Sequence, residues 1–473
     1  MSTFGGLSAA YTGLAAARAG IDTIGQNMAN VNTEGYTRQR VGQSSNGSLA
    51  GIGPLDTLFR GGTGVTVDQI QRLGNALLES RVRTASSSSG YAEMTSKVQD
   101  SIETSLHEPG NTGLAATLNS FWAAWQNVAN HAGEPSAAGV LLSAASTLSA
   151  RIATGYQDAV DTFDSTRSQA QGMVTQVNAL ATQVAGLNDQ IRQATAAGQS
   201  PNEMLDARAQ LTTKLATLTG ATVIDRADGS ADVLVGGNPL VAGSKTHTLV
   251  LAGANTLDAA NTNTVQVEWS HRPGESAALS GGSLAAAVAA MAPGTATSGG
   301  SIVSAAENYN ALATKLASQV NAIHSTGATT TGTTGLNFFS FAAGKPAALG
   351  LTIIPTDMSG IAAGIPNSGA LSGGIADKIA AIGKSATGPD AAWSDFVVRV
   401  GIDTRRATDQ AATATRASAS ATDKLLSETS VDMDEETTQL ITYQHAYQGA
   451  ARVMTAIDEM LDTLINRTGL VGR

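Results

Sequence analysis

The sequence predicts a mainly α protein with an inserted β domain, and three observations carry that prediction. Apolar residues recur at three and four spacing over most of the chain, the period switches to two over 221–280, and both ends carry a seven-residue repeat. The expected architecture pairs the N- and C-terminal helices as a coiled coil, places a long-helix bundle next, and puts a small β-rich domain outermost. The expected segments are 1–36 and 431–473 for the terminal coiled-coil domain and 37–220, 281–325 and 386–430 for the helical bundle domain. Residues 221–280 make the inserted β domain, and 326–385 a small mixed segment of uncertain assignment.

At the N-terminal end Leu7, Leu14, Ile21 and Met28 recur in sevens, with Ala10, Ala17, Ile24 and Val31 three residues after each. At the other end Leu440, Tyr447, Met454 and Leu461 form the first series, and Tyr443, Ala450, Ile457 and Leu464 the second. Two matched apolar seams so far apart in sequence are most simply used by pairing, which would bring the termini together. The alternative is that each seam packs separately on a globular core. Gly5, Gly6, Gly13, Gly20 and Gly25 sit in or beside the first seam. Each interior glycine costs about 0.5–1 kcal/mol relative to alanine, so this helix is expected to be weak alone and to fold against neighbouring subunits.

Between 37 and 70, Gly51-Ile52-Gly53-Pro54 and Gly61-Gly62-Thr63-Gly64 bracket short alternating runs such as Val65-Thr66-Val67, which read as extended chain and a hairpin. From about 70 to 106, Ile70, Leu73, Leu77, Tyr91, Met94, Val98, Ile102 and Leu106 predict a helix, weakened at Ser86–Ser89. A short helix follows with Leu114, Leu118, Phe121, Trp122 and Trp125, an aromatic cluster expected in the core. Residues 136–196 contain no proline and space Val177, Leu180, Val184, Leu187 and Ile191 as one very long helix or two in line. Pro201 then opens another helix, with Leu205, Leu211, Leu215 and Leu218 expected inward.

At 221 the pattern becomes that of strands. Val223-Ile224 and Val233-Leu234-Val235 flank Asp228-Gly229, a hairpin signal, and Thr248-Leu249-Val250 and Val265-Gln266-Val267 add further strands. Helical spacing resumes with Ile302, Tyr309, Leu312, Leu316 and Ile323. A Gly/Thr-rich loop at 327–335 leads to Phe338-Phe339, a strand-like Leu351–Ile354 and a short helix near 375–383. A last long helix runs from near Ala391 toward 428 and feeds the C-terminal seam.

Composition narrows the function. The 473 residues exceed one core and fit two to four domains. Aromatics are only 4% against 42% hydrophobic residues, which suits long helices with shallow faces. The net charge is −10 without a Lys/Arg cluster, which argues against a nucleic-acid partner. No run of about 18 apolar residues occurs, so no membrane insertion is expected. The start, Met1-Ser2-Thr3-Phe4-Gly5-Gly6-Leu7, has no basic and apolar leader, so no cleaved signal peptide is expected. The chain has no cysteine, which excludes disulfides, thiolate metal sites and cysteine nucleophiles.

The search for chemistry nominates no catalytic, cofactor or metal residues. None of His107, His131, His247, His271, His324 and His445 pairs at four spacing with another around a glutamate, so there is no zinc-protease motif. His445 reads as an interfacial or solvated residue. Asp432, Asp434, Glu435 and Glu436 lack calcium-loop spacing and read as charges at a helix start.

Directly after the first seam stands Asn27-Met28-Ala29-Asn30-Val31-Asn32-Thr33-Glu34-Gly35-Tyr36. It resembles the N-terminal signature of flagellar rod, hook and hook-associated proteins, carried here by Asn27, Ala29, Asn30, Thr33, Gly35 and Tyr36. The run Val431–Glu436, then Tyr443-Gln444-His445-Ala446-Tyr447-Gln448 and Asp458–Leu464, is similar to the partner signature of the same families, with Tyr443 and Gln444 at its centre. The helical middle, and the segment Pro201–Leu211, resemble the hook-associated members that form the hook–filament junction. That resemblance implies a non-enzymatic structural axial protein; a hook or rod component of the same family is the alternative. It further implies self-association in a ring layer, contact with the flagellar hook protein and a second hook–filament junction protein, and handling by a flagellar export chaperone and the flagellar type III export apparatus. The implied location is extracellular, in the flagellum.

Overall fold

The computed structural model describes residues 3–46, 64–369 and 371–467. The turn motifs at 51–54 and 61–63 lie outside the described residues. The chain opens with α1 (Thr3–Ala29), followed by an antiparallel hairpin of β1 (Gln39–Ser45) and β2 (Val65–Arg72). Four helices follow, α2 (Ala76–Leu106), α3 (Leu114–Asn130), α4 (Pro135–Ala196) and α5 (Asn202–Thr219). The expected helix from 70 therefore starts later. Ile70 belongs to β2, and Asn75 caps α2 by accepting from the Leu77 and Leu78 N–H groups.

The serines expected to weaken α2 do not break it. Small side chains there let α2 lie close to its neighbours. The Ser86 and Ser89 hydroxyls meet Ser418 and Thr415 at 3.3 and 3.4 Å, and a Cβ on Gly90 would fall 2.4 Å from the Thr217 carbonyl.

Helix α4 is a single rod of 62 residues, about 93 Å at 1.5 Å per residue. Pro135 starts it, where a missing N–H costs nothing. By length and composition it could cross a membrane, yet its apolar stripe from Leu141 to Ile191 is buried against the bundle. Its own aromatic residues Tyr156 and Phe163 are both buried.

The predicted β region forms two antiparallel sheets. One holds β3 (Thr222–Asp225), β4 (Ala231–Val235), β5 (Asn238–Ala242) and β6 (Lys245–Thr246); the other holds β7 (Leu249–Ala252), β8 (Gln266–Trp269) and β9 (Arg272–Ser276). Asp228-Gly229 makes the β3–β4 turn as expected, with Gly229 at φ 85°. The inward residues Val233, Val235, Leu240, Val267 and Trp269 join the same buried cluster as α4. Polar side chains on one edge of α4 pin the strands and the connection between β7 and β8. Tyr156 donates to Asp258, Arg167 to the Ala254 carbonyl at 2.7 Å, and Asn178 to the Leu249 carbonyl at 2.9 Å. Asn188 completes the row with all four of its positions filled. It donates to the Ala231 and Gly243 carbonyls at 2.7 Å each and accepts from Ala231 N–H at 3.0 Å and Arg208 at 3.1 Å. Steps of ten or eleven residues are close to three helical turns, so the four share one face.

Next come α6 (Gly282–Ala290), a small β10–β11 hairpin (Gly294–Thr295 and Ser298–Gly299) and α7 (Ser301–His324). The segment left unassigned by its sequence contains β12 (Phe339–Phe341) paired with β13 (Leu351–Ile353), the single turn α8 (Ala347–Gly350) and α9 (Gly374–Ala380). Phe338 and Phe339 pack on Phe121 and Trp125 of α3, all fully buried, so the aromatic cluster is core. His324 closes this core: its Nδ1 meets the Leu336 carbonyl at 2.7 Å, and its Nε2 accepts from Ala362 N–H at 2.9 Å. Burial holds its pKa below the ordinary imidazole value. Helix α10 (Pro389–Thr429) returns along α2, and α11 (Met433–Asp462) returns along α1, ending in a π turn over Thr463–Arg467.

Candidate assembly interface

The two chain ends meet as an antiparallel helix pair. Gly6, Gly13 and Gly20 of α1 face Ile457, Ala450 and Tyr443 of α11, so each step of seven along one helix is matched by a step of seven back along the other. A Cβ on Gly20 would stand 2.6 Å from the Tyr443 ring, one on Gly6 3.2 Å from Ile457 and one on Gly13 3.9 Å from Ala450. Gly5 and Gly25 face open space. Gly20, and less tightly Gly6, therefore serve close approach, whereas a Cβ on Gly13 would make only ordinary contact.

The line of contact runs one residue ahead of the first predicted series. Leu7, Leu14, Ile21 and Met28 are half-buried beside it, as are Leu440, Met454 and Leu461, while Tyr447 is exposed. The fully buried members are Ala10, Ala16, Ala17, Gly20, Thr23, Ile24 and Asn27 on α1, with Glu436 and Ile457 on α11. The reason is that α1 has two neighbours. Its other side carries the β1–β2 hairpin, where the Thr12 hydroxyl accepts from Val65 N–H at 3.2 Å.

Asn27 closes the pair. It is 1% exposed, and its side chain fills four hydrogen-bond positions. Nδ2 donates to the Gln39 carbonyl at 2.9 Å and to Glu436 at 3.0 Å; Oδ1 accepts from Gln39 N–H at 3.0 Å and from the Tyr36 hydroxyl at 2.9 Å. One amide thus ties the end of α1, the start of β1 and the first turn of α11. Arg38 reinforces it with ion pairs to Glu435 at 2.7 Å and Glu436 at 2.6 Å. The hydrogen bond to Glu435 leads in raising the Arg38 pKa and lowers that of Glu435. Burial, then the carboxylates of Glu203, Asp206 and Glu436, pushes the Tyr36 hydroxyl up to about 12. Asp432 caps α11 through the Asp434 and Glu435 N–H groups, as a helix-start charge should.

The other signature residues divide between turn and surface. Thr33 donates to Asn30, and Asn30 to the Gln26 carbonyl, as the helix ends. Gly35 takes φ 77°, and a Cβ there would sit 1.8 Å from Gln210. Ala29, Gln444 and His445 are exposed.

Helix α5 buries Leu215 as expected and packs Leu211 and Leu218 on the core, but it also carries a polar latch that the sequence does not announce. Leu205, Leu211 and Leu218 are half-buried, and the buried face holds Asn202, Asp206, Arg208, Thr212, Leu215 and Thr219. Asp206 accepts from Thr37 N–H at 3.0 Å and Arg72 at 2.5 Å; Asn202 donates to Gln39 and to the Ile70 carbonyl, both at 3.0 Å. Arg208 reaches Asn188, the Gly229 carbonyl and Asp225. Burial acts against the charge on Arg72, but Glu79 and Asp206 outweigh it and raise its pKa; on Arg208 burial prevails and lowers it. One short helix thereby connects the root of the terminal pair, the bundle and the sheets. An apolar-periodicity argument cannot find such a face. Its signal is a row of residues each able to bond backbone. Among the described residues, no group of three or more His, Asp or Glu side chains could hold a metal ion.

A family model described as flagellar hook-associated protein FlgK helical domain matches residues 99–339. Two others match the ends: flagella basal body rod protein over 7–37, and flagellar basal body rod FlgEFG protein C-terminal over 424–467. The chain is 27% identical to flagellar hook-associated protein 1 of Bacillus subtilis over the full length of both. It is 30% identical to the protein of that name from Salmonella typhimurium across 55% of this chain and 46% of the relative. A solved flagellar hook junction protein FlgK from Burkholderia pseudomallei covers 74% of this chain, and 99% of its own, with TM-score 0.60 at 16% identity, a likeness of fold. With a helical-domain match across half of its length, the chain belongs to the flagellar hook-associated protein FlgK family.

Proposed function

We propose that this chain is a structural, non-enzymatic layer of the bacterial flagellum at the junction of hook and filament. Family membership supports it, and one structural observation carries how it works. The terminal pair leaves large apolar side chains uncovered, among them Tyr11, Val31, Ile441, Tyr447, Val453 and Met460. Apolar surface of this extent marks an interaction site. Neighbouring copies cover it in the assembled layer, where the glycine-lightened helices complete their folding as a coiled coil.

In this reading residues 1–36 and 431–473 form the terminal domain with Leu7, Leu14, Ile21, Met28, Leu440, Tyr447, Met454 and Leu461 along its seam. The helical bundle (37–220, 281–325 and 386–430) transmits load, and the inserted sheets at 221–280 lie outermost. The hook protein lies below and a second junction protein above. A chaperone covers the C-terminal helix before passage through the type III export apparatus, without a cleaved signal peptide.

A hook or rod role is the second reading, favoured by the rod-type matches at both ends. Electron microscopy of a strain lacking the gene separates the two. Complete hooks without filaments, with flagellin lost to the medium, are expected. Missing hooks would move the protein into the hook or rod, and normal filaments would refute both.

A further inference from the structure

Outside the assembly interface, the fold brings together two histidines that no sequence spacing connects. Strands β7 and β8 run antiparallel with Leu249 opposite Trp269. His247 stands two residues before β7, and His271 lies in the tight turn Ser270-His271 that joins Trp269 of β8 to Arg272 of β9. The Ser270 N–H donates to the Thr248 carbonyl at 3.0 Å, so the ladder extends to the residue beside them. This places the imidazoles of His247 and His271 side by side at the end of the sheet. Their ring centroids are 4.7 Å apart with the planes tilted by 39°.

We infer that His247 and His271 form a two-imidazole site for a divalent transition-metal ion of the Zn²⁺, Ni²⁺ and Cu²⁺ class. Imidazole nitrogen is the ligand these ions favour. Two nitrogens bonded to one zinc at about 2.0–2.1 Å lie roughly 3 Å apart. Two rings whose centroids already stand 4.7 Å apart reach that spacing by turning about their χ angles. The Thr248 and Ser270 hydroxyls, 2.5 Å apart, bond to each other and steady the ladder behind the pair. His271 is exposed and His247 half-buried at the rim of the sheet, so an ion can enter and keep positions open to water or to an outside ligand. Trp269 lies beside the site, its ring centroid 6.0 Å from that of His271.

The full chain titrated with NiCl2 and with ZnCl2 tests this, by quenching of tryptophan fluorescence for Ni²⁺ and by calorimetry for Zn²⁺. One saturable ion per chain is expected. H247A or H271A should weaken it by at least about tenfold, because the second ligand then no longer binds at high effective concentration. H131A, which alters a distant histidine, should leave it unchanged. Circular dichroism of each variant, with H271Q as a second exposed substitution, separates lost ligation from lost folding. No saturable binding, or binding by folded H247A and H271A within about threefold of the parent, would overturn the inference.

Discussion

Replacing Asn188 by alanine probes how the sheets are held on α4. The substitution removes four hydrogen bonds from a side chain that is 1% exposed. Arg208 keeps the Gly229 carbonyl and Asp225, and Gly243 is only half-buried, so both can recover. Ala231 is 0% exposed, and its N–H and C=O both bonded to Asn188; neither has water to turn to. Two orphaned buried groups at about 1–3 kcal/mol each give a loss of about 3 kcal/mol. At 1.4 kcal/mol per factor of ten, that is over a hundredfold in the opening equilibrium. Hydrogen exchange read by mass spectrometry should show amides of 222–276 exchanging about a hundred times faster, with α3 amides little changed. N188D should do no better, since its second oxygen would face the Ala231 and Gly243 carbonyls without a proton to donate. Acceleration below about threefold, or equal acceleration in α3, would refute the claim that Asn188 pins the sheets.

Two further expectations follow from single positions. His324 is bonded as a neutral ring among Trp125 and Phe338, and burial holds its pKa below the unfolded value near 6.5. Its contribution is therefore full above about pH 6.5 and is lost as pH falls toward the folded pKa, at up to about 1.4 kcal/mol per pH unit. Urea midpoints at pH 7.5 and 5.0 should fall more steeply for the parent than for H324Q; parallel profiles would discard the idea. Gly20→Ala should push Tyr443 away and cost the terminal pair about 1–3 kcal/mol, whereas Gly25→Ala, in open space, should strengthen α1 by about 0.5–1 kcal/mol. Amide exchange across 7–31 in the assembled layer measures both, and equal effects of the two would contradict the glycine-facing register.

The aromatic core was legible because Phe121, Trp122 and Trp125 fall on one helical face and Phe338-Phe339 form a conspicuous apolar pair. The hairpin at Asp228-Gly229 was legible because that turn needs a residue at positive φ. The buried face of α5 was not. Asn202, Asp206 and Arg208 look like a solvated face until their partners at Gln39, Thr37 and Asn188 come from distant parts of the chain. The start of α2 was misplaced for a related reason: Ile70 suits either period, and pairing with Val41 decides for strand.

The sequence by itself determined that the chain is mainly helical, that its two larger sheets lie between 221 and 280, and that its two ends carry related seams. Those properties depend on periodicity, and periodicity is local. Tertiary structure alone decided which residue of each heptad faces the partner. The α1 stripe has to serve both α11 and the β1–β2 hairpin, so glycines occupy the closest approach and the larger apolar residues flank it. It also decided that Asn27 is a buried junction and that His247 meets His271, because contacts across the fold depend on register, which the order of residues in one strand or helix does not contain.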